Sequence, residues 1–434
     1  MKNVVNVLKK NTQVKDFLIN KIETEKVDFG INGKIIGGPY SPIENAINLS
    51  GSIKILWKND EISTVNITSN DFEDPKYLLN RAKLVSYKDE YGKEFVEPYN
   101  IRFPVKQFSR EVDKIIYKRK DYLVDQLKQT IQIESRVGIK SHEAILSSSK
   151  VKIKVYNSKG FTLEQKLTNY SEGIVWNNRF YFILDSRQPL KINEFKNNLK
   201  FQGQLYDSTN NIIKIGKFKT KNLKVIISPE ETYELFAFFI YANLDGTKIA
   251  NNMSHFHKKD FIKRVKKFGS WFSLKTDPLK RLTPGGTNFS GEGVRANTVT
   301  FIDKGKLITP VLDLKNAKKL SMKPTTASLN TPNIIEYFHK SDKDVKNTSV
   351  YISNCEEGIY VPSILGLHTQ NFITGDYSLS SPYSLYIKDG NVVGSVKTII
   401  FGNFFDDLNK DVEFVSNGIF PLPGISYSTG ITLE

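Results

Sequence analysis

Two β-prone runs close to the C-terminus constrain the fold of this chain more than any other feature. Ser384–Ile387 and Val392–Val396 are rich in residues that favour strands, and Asp389-Gly390 lies between them. An Asp-Gly pair readily adopts the positive φ angles of a tight hairpin turn. We therefore predict an antiparallel hairpin here, and a second one over Thr298–Ile308, whose turn is Asp303–Gly305.

Composition predicts a folded protein of two or three domains. The chain has 434 residues, of which 39% are hydrophobic and 12% aromatic, which is enough for packed cores. The one cysteine, Cys355, excludes an intrachain disulfide and fits a reducing compartment. The first residues contain no apolar run of signal-peptide length, and Leu235–Leu244 is too short to span a membrane. We expect a cytoplasmic protein without a membrane partner, in which Leu235–Leu244 is a buried helix.

The formal net charge of +16 favours anionic partners through long-range electrostatics. The densest basic segment, 258–281, holds nine Lys or Arg residues interleaved with Phe261, Phe268, Trp271 and Phe272. Such a mixture can bind single-stranded nucleic acid. Phe261, Val265, Phe268 and Phe272 also recur at three- and four-residue steps, which is typical of an amphipathic helix or turn with a solvated basic face. We favour the second interpretation.

Periodicity along the chain predicts an α+β protein. Helical spacing predicts one or two helices over residues 4–26 and a long helix over 109–133, and alternation predicts strands over 27–67 and 139–220, including Phe201–Asp207. A mixed α/β N-terminal region with long helices and sheets would thus precede a mainly antiparallel C-terminal domain. The predicted boundaries are 1–100, 101–221 and 222–434.

The start of one helix can be predicted in detail. Ile226-Ile227 ends a strand, Ser228 is a natural N-cap, and Pro229 occupies the first helical position, where its missing N–H is harmless. Glu231 stands where it would complete a Ser-x-x-Glu capping box.

Several ordered motifs resemble the TldD/PmbA family, the "modulator of DNA gyrase" proteins. Taken alone, the Thr374–Ser378 loop with its hairpin and following Gly402-Asn403 would fit any β-rich protein. In order along the chain, however, the matching pieces are Asn157–Phe161, Asn288–Val294, Leu314–Leu320, Lys323–Thr325, Glu357–Val361 and Thr374–Ser378. The chain is identified as a member of this family from that succession.

The resemblance also indicates which branch the chain is similar to. In the TldD branch, the helix after the strand carries HExxxH, in which two histidines bind zinc and the glutamate is the general base. Overlaying that pattern places Ala237 and Ala242 at the histidines and Phe238 at the glutamate, and residues 229–251 contain no histidine. This is how the PmbA (TldE) branch looks, so the resemblance implies no catalytic residue, metal ligand or cofactor in this chain.

What the branch implies is a subunit role. The chain would pair with a zinc-bearing TldD-like subunit as a heterodimer, or with itself, and help to degrade or trim unfolded peptides. The loop residues Gly375, Asp376 and Tyr377 are candidates for peptide binding, because a glycine loop beside a strand edge can offer main-chain hydrogen bonds. Asp376 could equally serve only to fix the turn.

Two other classes of function stay open at this stage. A basic nucleic-acid-associated protein would bind DNA with a steep salt dependence. A self-sufficient hydrolase with an unrecognised site would cleave peptides alone, even with chelators present. The remaining histidines argue weakly for a site: His142-Glu143 is followed by Ser147 where HExxxH needs histidine, and His255 and His257 lack an evident third ligand.

Overall fold

The computed structural model describes residues 1–32, 44–118, 120–136, 141–176, 180–213, 221–326, 329–338 and 345–433. It confirms the α+β class. Within these residues, no helix is both long enough and apolar enough to cross a membrane.

The N-terminal half is built on one antiparallel sheet of seven strands in the order β4-β3-β2-β1-β5-β6-β7. The strands are β1 (Val14–Asn32), β2 (Glu44–Trp57), β3 (Glu61–Thr68), β4 (Tyr87–Lys88), β5 (Ser141–Asn157), β6 (Thr162–Trp176) and β7 (Phe180–Ser186). Because β1 pairs with β5, a single sheet joins the regions predicted as 1–100 and 101–221.

Helices cover one face of this sheet. They are α1 (Lys2–Lys10), α2 (Ser69–Glu73), α3 (Pro75–Leu84), α4 (Arg110–Lys118) and α5 (Lys120–Arg136). The next helix, α6 (Lys196–Ser208), follows a 3-10 turn, Ile192–Phe195, and packs through Leu205 against the C-terminal half instead. Leu78 and Ala82 of α3 pack with Phe17 and Trp57 of the sheet, while Val112 and Leu127 pack against its other half. Alternation along β1 brings every second side chain to this covered face.

Two segments differ from the sequence predictions. Residues 14–26, predicted as helical, belong to β1, and Phe201–Asp207, predicted as a strand, lies inside α6. Leu199, Leu205 and Tyr206 are buried at helical spacing on α6, so the apolar period of 3.6 was present but too short to dominate the β-like letters.

The C-terminal half contains two further sheets. A four-stranded sheet has the order β11-β10-β9-β12, and a seven-stranded sheet has the order β13-β17-β18-β16-β15-β14-β8. Their strands are β8 (Lys221–Ile227), β9 (Ser273–Thr276), β10 (Val299–Asp303), β11 (Lys306–Leu307), β12 (Ile335–Phe338), β13 (Val345–Asn347), β14 (Glu357–Val361), β15 (Asp376–Lys388), β16 (Asn391–Asn403), β17 (Glu413–Ser416) and β18 (Gly424–Leu433). Since β18 also pairs with β8, the ring β8-β14-β15-β16-β18 closes into a barrel.

Short helices pack around this barrel. They are α7 (Pro229–Phe236), a π-helical turn (Ala237–Tyr241), α8 (Ala242–Leu244), α9 (Gly246–Ala250), α10 (Lys258–Ile262), α11 (Leu314–Leu320), α12 (Thr348–Ser353) and α13 (Phe404–Asp407), with 3-10 turns at Pro332–Ile334 and Leu367–Thr369. The largest apolar core of the protein lies between these helices and the barrel.

Both predicted hairpins are confirmed. β15 pairs with β16 through a turn in which Asp389 and Gly390 have φ of 49° and 75°. β10 pairs with β11 through a turn in which Lys304 and Gly305 have φ of 48° and 77°. A Cβ atom on Gly390 would lie 2.4 Å from the Ser353 carbonyl oxygen, so glycine is required there.

A polar seam joins the two halves. The buried Arg187 guanidinium donates to the carbonyl oxygens of Thr283 at 3.1 Å and Gly286 at 3.2 Å in the C-terminal half. It also donates to the Thr168 carbonyl oxygen at 3.0 Å and to Asn169 Oδ1 at 2.8 Å. Desolvation lowers the pKa of Arg187 to about 10. Because the four acceptors come from both halves, this side chain fixes the position of the loop 283–286 against the first sheet.

Candidate functional site

The helix that would carry HExxxH begins where the sequence predicts. Ser228 is the N-cap of α7, its Oγ accepts from the Glu231 N–H at 3.3 Å, and Pro229 is the first helical residue. The reciprocal half of the capping box is not formed. The Ser228 N–H donates instead to the Val361 carbonyl oxygen of β14 at 3.0 Å, and the Glu231 carboxylate accepts from the backbone of Ile364.

The π turn explains how a five-residue spacing can define one face of this helix. In an α-helix, residues five apart point about 140° away from each other. Here the Ala242 N–H donates to the Ala237 carbonyl oxygen, which is the i to i−5 bond of a π-helix. This wider turn brings positions 237 and 242 towards the same side, where both alanines line one cavity of about 430 Å³.

We call this space the alanine cavity. Besides Ala237 and Ala242, it is lined by Tyr233, Tyr241, Asp245, Thr247, Val311, Asp313, Asn316, Leu329 and Asn330. Its polar groups are used structurally. The Asp245 carboxylate accepts from the Thr247 N–H at 2.7 Å as the N-cap of α9, and Asp313 accepts from the Asn316 N–H at 2.6 Å as the N-cap of α11.

The residues of the alanine cavity do not fit a zinc ion. Alanine at 237 and 242 offers no ligand atom, and Asp245 and Asp313 already cap helices. Phe238, at the position of the general base, is absent from the cavity lining and packs edge-on against Phe239 and Phe372, with ring centroids 5.0 and 6.1 Å apart. Within the described residues, no three His, Cys, Asp or Glu side chains are grouped as metal ligands.

The structure brings this helix together with the predicted peptide loop. Asn243 Nδ2 donates to the Phe372 carbonyl oxygen at 2.7 Å, and His255 Nδ1 lies 2.8 Å from the Ile373 carbonyl oxygen. The His255 ring also stacks on Phe405 at 4.1 Å. These contacts hold segment 372–375 against the helix that carries Phe238.

Within the loop, Gly375 has a structural reason to be glycine. Its φ is +83°, and a Cβ atom there would lie 2.5 Å from Cδ2 of Phe405. Its main-chain groups are already bonded: the N–H donates to the Asn371 carbonyl oxygen at 3.1 Å, and the carbonyl oxygen accepts from the Phe404 N–H at 2.8 Å.

The two residues after Gly375 differ in exposure. Asp376 is exposed, and its Oδ1 accepts from Asn403 Nδ2 at 2.9 Å; this bond, with a second from Thr374, lowers its pKa. Tyr377 is buried, and its hydroxyl donates to Asp407 Oδ2 at 2.6 Å. Asp376 is therefore the one of the three candidate side chains that a peptide can reach.

The strand edge beside this loop is occupied. Gln370 uses its side-chain amide like a short strand: Oε1 accepts from the Ser378 N–H at 3.0 Å, and Nε2 donates to the Ser378 carbonyl oxygen at 3.3 Å. Leu365 and Ser380 exchange two backbone hydrogen bonds of 2.7 and 3.2 Å. Further along the strand, β14 pairs with Leu385–Lys388 of β15. A peptide adding a strand here would have to displace these groups.

The basic segment uses its aromatic residues for packing. Phe261, Phe268 and Phe272 are buried in the large C-terminal core, and Trp271 packs against Phe272 and Phe414 with centroids 5.3 and 5.6 Å apart. The segment consists of α10, turns and strand β9, and its lysines are partly or fully exposed. Stacking of bases on these rings is therefore blocked by the protein's own core.

His142, His257 and Cys355 lie in separate parts of the fold. His142 lies in β5. His257 is the N-cap of α10, and its N–H donates to Asp260 Oδ2 at 2.9 Å. Cys355 is buried, which raises its pKa and disfavours the reactive thiolate.

Comparison with known proteins identifies the class of the C-terminal half first. The family model of the PmbA/TldA metallopeptidase C-terminal domain matches residues 220–430. The fold is similar to that of the crystal structure of TldE from Thermococcus kodakarensis, with a TM-score of 0.78 at 16% identity over 100% of this chain and 99% of that one.

Two sequence relatives share slightly more identity with this chain. An uncharacterized protein of Methanocaldococcus jannaschii is 20% identical over 76% of both chains. A metalloprotease PmbA homolog of Buchnera aphidicola is 22% identical over 47% of this chain and 43% of that protein. The family model, the fold and the PmbA homolog all support a relationship of this chain to the TldD/PmbA/TldE family.

Proposed function

We propose that this chain is a non-catalytic, TldE-like subunit that holds unfolded peptides for a zinc-bearing TldD-like partner. The observation that carries the proposal is the pair Ala237 and Ala242 on the π turn. The turn gives these positions the shared face that two histidine ligands need, and the cavity beside them is present, but neither side chain can bind a metal. In this proposal the zinc and the general base belong to the partner.

The likeness to a TldE fold supports this assignment over its competitors. A nucleic-acid-binding role for the basic segment is disfavoured, because Phe261, Phe268 and Phe272 are buried and cannot stack on bases. A self-sufficient hydrolase would need a nucleophile or a metal, and Cys355 is buried with a raised pKa. Pairing as a heterodimer accounts for the emptied helix face more simply than a homodimer, which would contain no zinc site.

Metal content and activity of the purified chain test this proposal. Elemental analysis after expression in zinc-supplemented medium should find far less than one zinc per chain, and the chain alone should not cleave unfolded peptides. A zinc-bearing TldD-like relative, purified in parallel, is the positive control for both measurements. One zinc per chain, or cleavage that persists with chelators, would rule the proposal out.

A further inference from the structure

The N-terminal turns of α7 also border a second cavity, of about 410 Å³, lined by residues of both halves of the protein. We call it the acidic cavity because four carboxyl groups line it: Asp185 from β7 and Glu230, Glu231 and Glu234 from α7. Tyr233 lines both this cavity and the alanine cavity. In a chain whose net charge is +16, this concentration of carboxyl groups is a local exception.

These carboxylates have no cationic partner among the described residues, where no Lys or Arg nitrogen lies within 4.0 Å of them. Glu230 accepts hydrogen bonds from Asn417 Nδ2, at 3.0 Å, and from Ser228, whereas its Oε2 is buried without a partner. Leaving a buried carboxylate oxygen unsatisfied is unfavourable. The site therefore offers a cation interactions that the surrounding protein does not supply.

The pKa values of the carboxyl groups in the acidic cavity also respond to a bound cation. The ionisable side chains lining the cavity are Asp185, Glu230, Glu231, Tyr233 and Glu234. Partial desolvation raises the pKa of all four carboxyl groups although Asp185 and Glu234 are partly exposed, and the neighbouring charges of Glu230 and Glu234 help to raise that of Glu231 to about 8. A cation bound among them would favour ionisation and release protons.

The wall of the cavity formed by β7 has an open edge. Among the described strands, β7 pairs with β6 alone, so its other edge has main-chain groups available for an added strand. Ile183 and Asp185 are exposed on it, Ile183 at 57%. An extended peptide can add to such an edge through main-chain hydrogen bonds and place alternate side chains in neighbouring pockets.

We propose that an extended peptide with a Lys or Arg residue binds along the open edge of β7 and inserts its cationic side chain into the acidic cavity. This inference rests on the proposed peptide-holding function and names the peptides that the chain prefers. The side chain would contact Glu230, Glu231 and Glu234, and the peptide backbone would pair with β7.

Fluorescence anisotropy with the full-length chain tests this without a partner subunit. The probes are a labelled heptapeptide of alternating Thr and Val with a central Arg, and the same peptide with citrulline, a neutral isostere, in place of Arg. The Arg peptide should bind at least tenfold more tightly. The double variant E231Q/E234Q should lose that preference, whereas the control E73Q/E90Q, which removes two exposed charges near the opposite sheet edge, should keep it.

A third probe, the Arg peptide N-methylated at alternate backbone nitrogens, tests pairing with β7 and should bind at least tenfold more weakly. Equal affinity for the Arg and citrulline peptides, or a preference retained by a folded E231Q/E234Q variant, overturns the proposal. Self-association of the chain that disappears in E231Q/E234Q would identify a second copy as the occupant and also overturn it. Because no cleavage is measured, failure here leaves the proposed subunit role standing.

Discussion

The two cavities that α7 and its π turn border differ in the side chains that line them. At the alanine cavity, the π turn brings positions 237 and 242 to one cavity, but Ala237 and Ala242 offer no ligand atom there. At the acidic cavity, four carboxyl groups have no cationic partner among the described residues, and ionisation of Glu230 and Glu231 is unfavourable for the fold. One cavity thus lacks polar side chains at its two key positions, and the other has carboxyl groups without cationic partners.

The largest predicted effect is on the pH dependence of stability and arises from Glu231 in the acidic cavity. The pKa of Glu231 is raised from 4.5 to about 8 in the folded chain. As the pH rises through this window, the unfolded chain ionises first, so the free energy of unfolding falls, by on the order of 3 kcal/mol once both states are ionised. Urea unfolding of the E231Q variant should show a correspondingly weaker loss of stability between pH 4.5 and 8.

The exposed residue Glu90 offers a matched control for this titration. E90Q should follow the pH dependence of the unchanged protein. An E231Q variant whose stability falls as steeply as that of the unchanged chain would mean that Glu231 is solvated and that its ionisation in the acidic cavity does not destabilise the fold.

The next largest predicted effect is a loss of stability when Gly375 is substituted. G375A adds a Cβ atom at φ +83° and 2.5 Å from Phe405, so strain and overpacking together should lower the free energy of unfolding by about 2–3 kcal/mol. Gly160 has φ +80° with no atom within 4 Å of an added Cβ, so G160A should lose only about 1 kcal/mol.

Chemical denaturation of both glycine variants measures this difference. If G375A and G160A are destabilised equally, the contact with Phe405 does not constrain the loop. For a G375A variant that still assembles with a TldD-like partner, reduced peptide turnover by the pair would support the predicted role of Gly375, Asp376 and Tyr377 in peptide binding. Unchanged turnover would leave the loop a structural role only.

The π turn predicts a smaller effect, which is a gain in metal affinity. In the double variant A237H/A242H, the two imidazoles should face the same cavity and bind Co²⁺ or Zn²⁺ at least tenfold more tightly than either single variant, a difference of about 1.4 kcal/mol or more. Equilibrium dialysis against each metal provides the measurement. A double variant that binds no better than A237H or A242H would show that the turn does not align these positions.

Local sequence signals predicted the elements that depend on a few neighbouring residues. Asp389-Gly390 marks a hairpin and Ser228-Pro229 a helix start, because turn and cap preferences act over three or four positions. The overlay of HExxxH on Ala237 and Ala242 stays a prediction, although both alanines line the alanine cavity.

Features set by tertiary packing could not be predicted from the sequence. Closure of the barrel by β8 and β18 joins segments about 200 residues apart, and no local pattern encodes such a pairing. Glu230 and Glu231 have the appearance of ordinary acidic residues in a first helical turn; their burial depends on β7 and residues 419–421, which complete the cavity. Alternation along residues 14–26 was also masked by apolar residues at helical steps.

Reconstitution of the heterodimer tests most directly whether this chain supplies no catalytic metal site. The chain is mixed with a zinc-bearing TldD-like relative, and cleavage of an unfolded peptide is compared among the pair, each chain alone, and a pair whose partner has its HExxxH glutamate changed to glutamine. We predict cleavage by the intact pair, with about one zinc per pair, and none by this chain alone or by the altered pair. Cleavage by this chain alone, or by the altered pair, would contradict the account.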